Sequence, residues 1–216
     1  MHLHLIRHGQ TDWNATRRIQ GQAESHLDTT GEAQATALGE ELADIPFRSA
    51  YISSAQRTRE TAERVLAGRD LPRHFRDDLR EMRLGRWETH MWPDIEKDEP
   101  GQVGLYRAFD DRFRIEGAER LSGMQQRGID AIADIVSIEH RDGAGQDDHV
   151  AIVSHGFLLR AILADVLARP LTDFEGTTAL PNCAHSIVDV DASGASSAVT
   201  IASKPPERSI WAPLFA

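Results

Sequence analysis

The chain has a single cysteine and no long apolar run near its N-terminus, and each shortage excludes a class of protein. Cys183 has no second cysteine to pair with, so an intrachain disulfide is impossible and a reducing, cytoplasmic location is expected. The apolar run before Arg7 is too short for a signal peptide or a transmembrane helix. We therefore expect no membrane partner.

Basic residues are also in the minority, with 24 Lys and Arg against 34 Asp and Glu, which gives a formal net charge of -10. A protein that binds nucleic acid needs a basic face, so this balance argues against such a partner. It does not exclude a small anionic substrate. Salt screens long-range charge within roughly 10 Å, so a local arginine pocket can outweigh the net charge.

Strand-like and helix-like segments alternate along the chain, which is typical of an α/β fold with a mostly parallel sheet. Strands are predicted at residues 2–6, 50–52, 73–76 and 150–153, and helices at 30–42, 55–66, 120–138 and 157–167. Residues 184–191 and 198–203 predict a C-terminal hairpin. We expect one domain over residues 1–216, a three-layer sandwich with helices on both faces of the central sheet. Residues 93–118 show little regular pattern before Leu105 and are expected to form a helical insertion over the site.

The run Leu5-Ile6-Arg7-His8-Gly9 is a short apolar stretch that ends in charge and glycine, the pattern of a strand that stops at a loop. In open α/β sheets, ligands bind beyond the carboxyl ends of the strands, where Arg7 and His8 would emerge. A guanidinium offers a planar fork of donors to phosphate oxygens, and a neutral imidazole can attack phosphorus. Such a pair alone is more often a surface salt bridge or a satisfied histidine, so its interpretation depends on the rest of the chain.

Further blocks follow in order and span nearly the whole chain: Gln10-Thr11, Trp13-Asn14, Gln20-Gly21, Leu27 before Thr30-Gly31, Tyr51-Ile52-Ser53-Ser54-Ala55-Gln56-Arg57, Glu60-Thr61-Ala62, Leu79-Arg80-Glu81, Gly85-Arg86-Trp87-Glu88, Val153-Ser154-His155-Gly156 and Asn182. Together with the first motif they resemble the phosphoglycerate-mutase-like branch of the histidine phosphatase superfamily. Chance explains the agreement of one block but not of all of them in order. The resemblance implies a phosphomonoesterase that acts on a small phosphorylated metabolite through a phosphohistidine.

The chemistry expected of four residues agrees with this resemblance. His8 is the expected nucleophile, because a phosphohistidine splits one difficult displacement into two easier ones. One of its ring nitrogens must then be unprotonated, with the other donating to a backbone carbonyl. Arg7, Arg57 and, when protonated, His155 are expected to surround the phosphoryl oxygens and stabilise charge during transfer.

A carboxylate and several neutral groups complete the predicted site. Glu81 is the expected general acid toward the leaving oxygen and then the base toward water. The resemblance favours Glu81 over Glu88, because the family places its acid before a Gly-x-Trp segment. Other contacts are expected to be phosphate binding by Thr11, Asn14 and Gly156, and substrate specificity from Gln20, Gly21 and Arg83.

Two other classes of function stay open. His2-Leu3-His4 resembles the His-x-His pair of metal-dependent hydrolases, since alternate strand positions put both imidazoles on one sheet face. No further cluster of His and Asp at strand ends is evident, so no metal is expected. The other class is a non-catalytic phosphate-binding or scaffold protein of the same fold, although His8 and Glu81 are both in place.

Within the family, a phosphatase is favoured over a cofactor-dependent phosphoglycerate mutase. The chain is shorter than is typical of such mutases, and residues 81–88 resemble the phosphatase segment Glu-x-x-x-Gly-x-Trp-Glu-Gly. Thr89 departs from that segment at its final glycine, which leaves the selected substrate open. No cofactor is expected, and 2,3-bisphosphoglycerate would be needed only by a mutase. The predicted partner is a small phosphomonoester, and the chain is expected to be a monomer or a homodimer.

Overall fold

A six-stranded sheet forms the centre of the computed structural model, which describes residues 1–174, 180–191 and 193–202. Its strands are β1 (His2–Arg7), β2 (Phe47–Ser53), β3 (Arg73–Arg76), β4 (His149–Ser154), β5 (His185–Val190) and β6 (Ser196–Thr200). Their order across the sheet is β3-β2-β4-β1-β5-β6. The first four in this order are parallel, whereas β5 and β6 form an antiparallel hairpin against β1. The predicted mostly parallel sheet with a C-terminal hairpin is confirmed.

Helices cover both faces of this sheet. They are α1 (Asp12–Ala15), α2 (Thr29–Glu41), α3 (Gln56–Val65), α4 (Trp92–Asp98), α5 (Pro100–Arg107), α6 (Leu121–Arg141) and α7 (Gly156–Val166), with 3-10 turns at Gly85–Trp87 and Leu171–Phe174. Side chains alternate across a strand, so Leu5 packs with α6 and α7 while Ile6 packs with α2 and α3. The predicted three-layer sandwich is therefore confirmed. None of the helices in the described part of the chain is long and apolar enough to cross a membrane.

The loop after β1 packs directly against the start of α2, and two glycines make this approach possible. A Cβ on Gly31 would lie 2.0 Å from the backbone oxygen of Gln10, and one on Gly9 would lie 2.6 Å from the oxygen of Gly31. Any other residue at either position would push the two backbones apart. The glycine that follows His8 is thus required by the packing of the loop that carries His8.

The insertion contains more helix than its sequence pattern indicates. α4 and α5 cover most of residues 92–107, where little regular structure was expected before Leu105. Pro93 and Pro100 suggest breaks when read along the sequence, but each lies in the first turn of a helix, where a missing N–H costs nothing. The insertion then packs on α7, where the Phe157 ring stacks against Tyr106 and Phe109 at 4.6 and 4.1 Å.

A row of histidines lies on the α2 and α3 face of the sheet. His4 Nδ1 is 2.8 Å from His185 Nε2, and His4 Nε2 is 2.9 Å from His149 Nδ1. His2 bonds to Asp189 instead, with 2.5 Å between Nδ1 and Oδ1. Both nitrogens of His4 are thus used by other imidazoles. Among the described residues no group of three or more His, Cys, Asp or Glu is arranged to hold a metal ion.

Because these histidines are buried, we predict that the stability of the fold decreases in acid. Burial lowers the pKa of His4 to about 3 and that of His185 to about 4, so both stay neutral in the folded chain. The unfolded chain binds protons below about pH 6.5, and stability is therefore lost as pH falls from 6.5 toward 4. We expect urea unfolding at pH 5.0 to give a free energy lower than at pH 7.5 by on the order of 2 kcal/mol per neutral histidine.

The exposed His26 provides the control for this measurement. A hydrogen bond to Glu60 raises its pKa, so protonation of His26 favours the folded chain, and the His26→Gln variant should lose at least as much stability in acid as the wild type. Equal unfolding free energies at pH 7.5 and pH 5.0 would contradict the role given to the buried row.

Candidate active site

The site lies where three neighbouring parallel strands end at one edge of the sheet. Arg7 ends β1 and His8 follows it, while His155 follows the last residue of β4 and is the N-cap of α7. Arg57 lies in the first turn of α3, directly after β2. The His8 and His155 ring centroids are 5.3 Å apart. His8, Arg57 and His155 are all buried, at 3%, 1% and 0% exposure.

His8 is held in the form that a nucleophile needs. Its Nδ1 lies 2.7 Å from the carbonyl oxygen of Gly9. A carbonyl only accepts, so Nδ1 carries the hydrogen and Nε2 keeps its lone pair. Burial, followed by the charges of Arg57 and Arg7, holds the pKa of His8 well below its usual value. The ring is therefore neutral, with Nε2 available to attack phosphorus.

Three buried nitrogen atoms around His8 have no hydrogen-bond partner in the described residues: Arg7 Nε, Arg57 Nε and His155 Nδ1. The ends of both guanidinium groups are held by carbonyls. Arg7 Nη1 donates to Leu180, and Arg57 donates to Gly21 at 2.8 Å and to Ala23 at 3.0 Å. A buried donor without an acceptor costs about 1–3 kcal/mol. Three of them, from β1, α3 and the end of β4, are the arrangement that an oxyanion would satisfy.

His155 differs from the protonated state considered from the sequence. Burial, followed by the charges of Arg57 and His8, lowers its pKa well below the usual value. In the protein without substrate the ring is thus neutral, because a third cation beside Arg7 and Arg57 would be desolvated and repelled. A neutral imidazole still carries one N–H, and this is enough to donate to a phosphoryl oxygen.

Glu81 lies at the start of α7, facing the same cavity as Arg7. Its Oε2 accepts the N–H of Phe157 at 3.0 Å, and its Oε1 accepts those of Leu158 at 3.0 Å and Met82 at 2.9 Å. These contacts fix the orientation of the carboxyl group. Glu81 also lines both adjoining cavities of the site, of about 250 and 120 Å³, in which a leaving group would lie.

Glu88 has a different environment from that of Glu81. Its Oε1 accepts the N–H groups of Gln22 at 3.0 Å and Leu84 at 2.8 Å, and it lines neither cavity. A Cβ on Gly21, which has a φ of +53°, would lie 2.3 Å from that oxygen. Glu88 therefore holds the loops together, and the preference for Glu81 as the acid agrees with the geometry.

The other predicted phosphate ligands divide into two groups. Asn14 lines both cavities and Gly156 lines the larger one. Asn14 Oδ1 accepts from the Thr11 N–H at 3.2 Å and from Asn182 Nδ2 at 3.3 Å, which leaves its amide N–H groups for a ligand. Thr11 is fully buried, and its hydroxyl caps α1 by accepting from the Asn14 N–H at 3.0 Å. The structure does not bring Thr11 to the cavity, and its observed role is to position Asn14.

Two of the three predicted specificity residues line a cavity, and the third does not. Gln20 and Gly21 line the smaller cavity. Arg83 is exposed, lines neither cavity, and its backbone N–H donates to Glu119 at 2.8 Å. Although Arg83 is close to Glu81 in sequence, the chain turns away from the site between them.

Sequence reasoning missed most of the wall that faces the leaving group. The larger cavity is also lined by Trp92, Tyr106, Arg107, Phe157, Arg160 and Leu180. Tyr106 and Arg107 come from the insertion and Trp92 directly precedes it, and the aromatic composition of this region was the available signal. Arg160 lies four residues after Gly156 on α7, and one helix turn brings both to the same side. The sequence alone could not show that this turn faces the cavity.

The model of the histidine phosphatase superfamily, branch 1, matches residues 3–201 of the chain. The chain belongs to this family. A protein of Erwinia tasmaniensis named "Probable phosphoglycerate mutase GpmB" is 31% identical over 189 residues, 88% of this chain and 85% of that protein.

Two solved structures have the same fold as the chain. Bacillus stearothermophilus YhfR superposes with a TM-score of 0.84 at 31% identity, over 92% of this chain and 95% of that one. A mycobacterial glucosyl-3-phosphoglycerate phosphatase in complex with VO3 gives 0.81 at 28% identity, over 91% and 95%.

The unpartnered donors predict that Arg57 is needed for oxyanion binding. We expect Arg57→Ala to lower kcat/KM on a phosphomonoester by about 10²–10³-fold, the scale of losing one preorganised oxyanion donor. Vanadate binding, measured by titration calorimetry, should weaken in parallel. Arg59→Ala is the matched control, because Arg59 is on the same helix but bonds to the Ser54 carbonyl and stacks over Phe75. Unchanged vanadate affinity in Arg57→Ala would remove Arg57 from the oxyanion site.

Proposed function

We propose that the chain is a phosphomonoesterase that hydrolyses a small phosphorylated metabolite through a phosphohistidine on His8. The observation that supports this most is the set of three unpartnered buried donors, Arg7 Nε, Arg57 Nε and His155 Nδ1, around a neutral imidazole with a free Nε2. Such a site has a nucleophile and a place for phosphoryl oxygens in one water-poor space. A non-catalytic phosphate-binding protein would need the donors but would have no use for the nucleophile and acid.

The reaction has two steps in which Glu81 moves one proton each way. In the first, His8 Nε2 bonds to phosphorus, the ester P–O bond breaks, and the protonated Glu81 carboxyl gives its hydrogen to the leaving oxygen. In the second, the Glu81 carboxylate takes a proton from water, whose oxygen bonds to phosphorus as the N–P bond breaks. Inorganic phosphate leaves, and His8 and Glu81 return to their starting states.

Several finer expectations accompany this proposal. We propose that the reaction uses no metal ion, with side-chain nitrogens of Arg7, Arg57 and His155 binding the phosphoryl oxygens. The substrate is a small molecule, since the two cavities that Glu81 lines have volumes of about 250 and 120 Å³. We further propose that the protein acts in the cytoplasm as a monomer or a homodimer, with no membrane or nucleic-acid partner.

A phosphoglycerate mutase is the second candidate, because the relative from Erwinia tasmaniensis has that name. The phosphatase is preferred on residues 81–88, which resemble the phosphatase segment, and on a structural neighbour that is named as a phosphatase. The two functions differ in what accepts the phosphoryl group from His8: water in a phosphatase, and a bound sugar acid in a mutase.

The direct test is to trap the intermediate. Rapid acid-free quenching after mixing with a ³²P-labelled phosphomonoester should leave base-stable, acid-labile label on the wild-type chain and none on His8→Ala. The variant should keep its circular dichroism spectrum and lose turnover, because the site offers no other in-line nucleophile. Near-normal turnover of His8→Ala would overturn the assignment.

The same assay separates the alternatives when it contains a strong chelator. With 3-phosphoglycerate and 2,3-bisphosphoglycerate present, we expect release of inorganic phosphate, whereas a mutase would accumulate 2-phosphoglycerate. Loss of all activity on chelation would instead favour the metal-dependent alternative. A panel of sugar phosphates, phosphoglycerates, nucleotides and phosphoserine, ranked by kcat/KM, would then identify the substrate.

Glu81 is tested by comparing a poor leaving group with a good one. Nitrophenolate needs little protonation to leave, so Glu81→Gln should transfer phosphoryl from 4-nitrophenyl phosphate to His8 comparatively well. Hydrolysis of the phosphohistidine should then be slow, because no base activates water. We expect a burst of nitrophenol with a weak steady state, and a loss of about 10²–10⁴-fold on an alkyl phosphate.

Glu88→Gln is the matched control, since the amide oxygen can still accept the Gln22 and Leu84 N–H groups. It should keep the wild-type ratio of rates on the two substrates. Equal losses for both substrates in Glu81→Gln, without a burst, would mean that another group is the acid.

A further inference from the structure

His155 has a second contact that the proposed reaction does not use. Ser53 ends β2 and lies beside β4, which His155 follows. Its Oγ is 2.7 Å from His155 Nε2, and both residues have 0% exposure. Ser53 Oγ also lies 3.4 Å from the backbone nitrogen of Ala55, whose N–H donates to it. The buried Ser53 hydroxyl, which has no access to water, therefore contacts His155 at Nε2, whereas Nδ1 of the same ring has no partner among the described residues.

The hydrogens of this group can be counted. The neutral imidazole carries one N–H, and the hydroxyl carries one O–H. Among the contacts of Ser53 Oγ in the described chain, the Ala55 N–H is a donor, so the acceptor for the serine hydrogen is His155 Nε2. With Nε2 accepting, the ring hydrogen must lie on Nδ1. This is the atom that is buried and lacks a protein partner.

The opposite tautomer would leave two groups unsatisfied. If Nε2 carried the hydrogen and donated to Ser53, the serine O–H would have no acceptor among these contacts. The bare lone pair of Nδ1 would then lie on a ring whose centroid is 5.3 Å from that of His8, where the proposed reaction brings a negatively charged phosphoryl oxygen. A lone pair repels such an oxygen, whereas an N–H stabilises it. Hydrogen-bond satisfaction and the charge of the substrate therefore favour the same tautomer.

We propose that Ser53 is a positioning residue that holds His155 in its Nδ1–H tautomer, so that a neutral imidazole donates to the phosphoryl oxygen. This role rests on the proposed function, because it assigns a phosphoryl oxygen as the acceptor. Ser53 does not touch the substrate and acts only through His155. The hydrogen-bond chain runs from the Ala55 N–H to Ser53, from the Ser53 O–H to Nε2, and from Nδ1–H to the substrate.

The tautomer can be measured without turnover. Long-range ¹H–¹⁵N correlation spectra of the ¹⁵N-labelled full chain separate protonated from unprotonated ring nitrogens, and His155→Gln identifies the His155 signals. We expect a protonated Nδ1 and an unprotonated Nε2 in the wild type, and a mixture or the opposite tautomer in Ser53→Ala. Ser53→Thr, which keeps the hydroxyl, should retain the wild-type pattern. A wild-type His155 with its hydrogen on Nε2, or a Ser53→Ala variant with the wild-type pattern, would overturn the proposal.

Binding and kinetics give a second measurement. Ser53→Ala should weaken vanadate binding and lower kcat/KM by roughly 10–100-fold, which is at most the effect of losing one oxyanion donor. In a His155→Gln background the same change should have almost no further effect, because the two residues act as one unit. Ser54→Ala is the matched control, since the Ser54 hydroxyl bonds to Asp77 instead. Additive losses in the double variant would mean that Ser53 acts through packing and not through His155.

The outcomes also separate this proposal from the function on which it rests. If the wild type binds vanadate and hydrolyses esters but has the opposite tautomer, only the role of Ser53 is wrong. If the wild type neither binds vanadate nor forms a phosphohistidine, the proposed function is wrong whichever tautomer is found. Should Ser53→Ala not fold, the wild-type spectrum and the Ser53→Thr variant still decide the tautomer.

Discussion

The site depends on keeping polarised N–H groups buried around His8 without protein acceptors. Each such donor costs free energy unless a ligand satisfies it, so the rest of the fold has to hold it in place. Arg7 and Arg57 are held by their outer nitrogens, which donate to carbonyls of Leu180, Gly21 and Ala23. The inner nitrogens are thereby left for an oxyanion. This preorganisation means that little of the binding energy of a phosphoryl group is lost in moving the protein.

One helix start links the acid, a phosphate donor and the insertion. His155 is the N-cap of α7, and the N–H groups of Phe157 and Leu158, the second and third residues of the helix, donate to Glu81. The helix macrodipole favours negative charge at this end, so a phosphoryl group is stabilised there. Phe157, in the same turn, is stacked by two rings of the insertion. A shift of this turn would therefore move Glu81, His155 and the insertion together.

Two sets of buried imidazoles show how packing decides the use of a residue type. His4 and His185 bond to each other, and His4 also bonds to His149, so their buried nitrogens are satisfied within the sheet face. His155 instead has Nε2 bonded to Ser53, and its Nδ1 has no hydrogen-bond partner among the described residues. Both sets are imidazoles, although His4, His149 and His185 lie within strands and His155 follows one. A structural imidazole is distinguished from one available to a ligand by having a partner for each nitrogen, an acceptor for the N–H and a donor for the lone pair.

The alternation of segments, the ordered motifs and the placement of Arg7, His8 and His155 after strands could be predicted from the sequence. These properties are local: an apolar run that ends in a charge and a glycine. The sequence also favoured Glu81 over Glu88 as the acid, although only through the resemblance to the family. A helical insertion was expected at residues 93–118, but the bounds of α4 and α5 were not, because Pro93 and Pro100 act as first-turn residues there, which depends on where each helix begins.

The sequence by itself determined the fold class and the residue types of the catalytic edge, because hydrophobic periodicity and motif order are properties of the chain. Only the tertiary structure decided which of these side chains have partners. Thr11 is used in a helix cap and Arg83 faces away, while Arg160 and Tyr106 line the cavity. Such outcomes depend on contacts between residues far apart in sequence, since hydrogen-bond satisfaction is fixed when strands and helices pack.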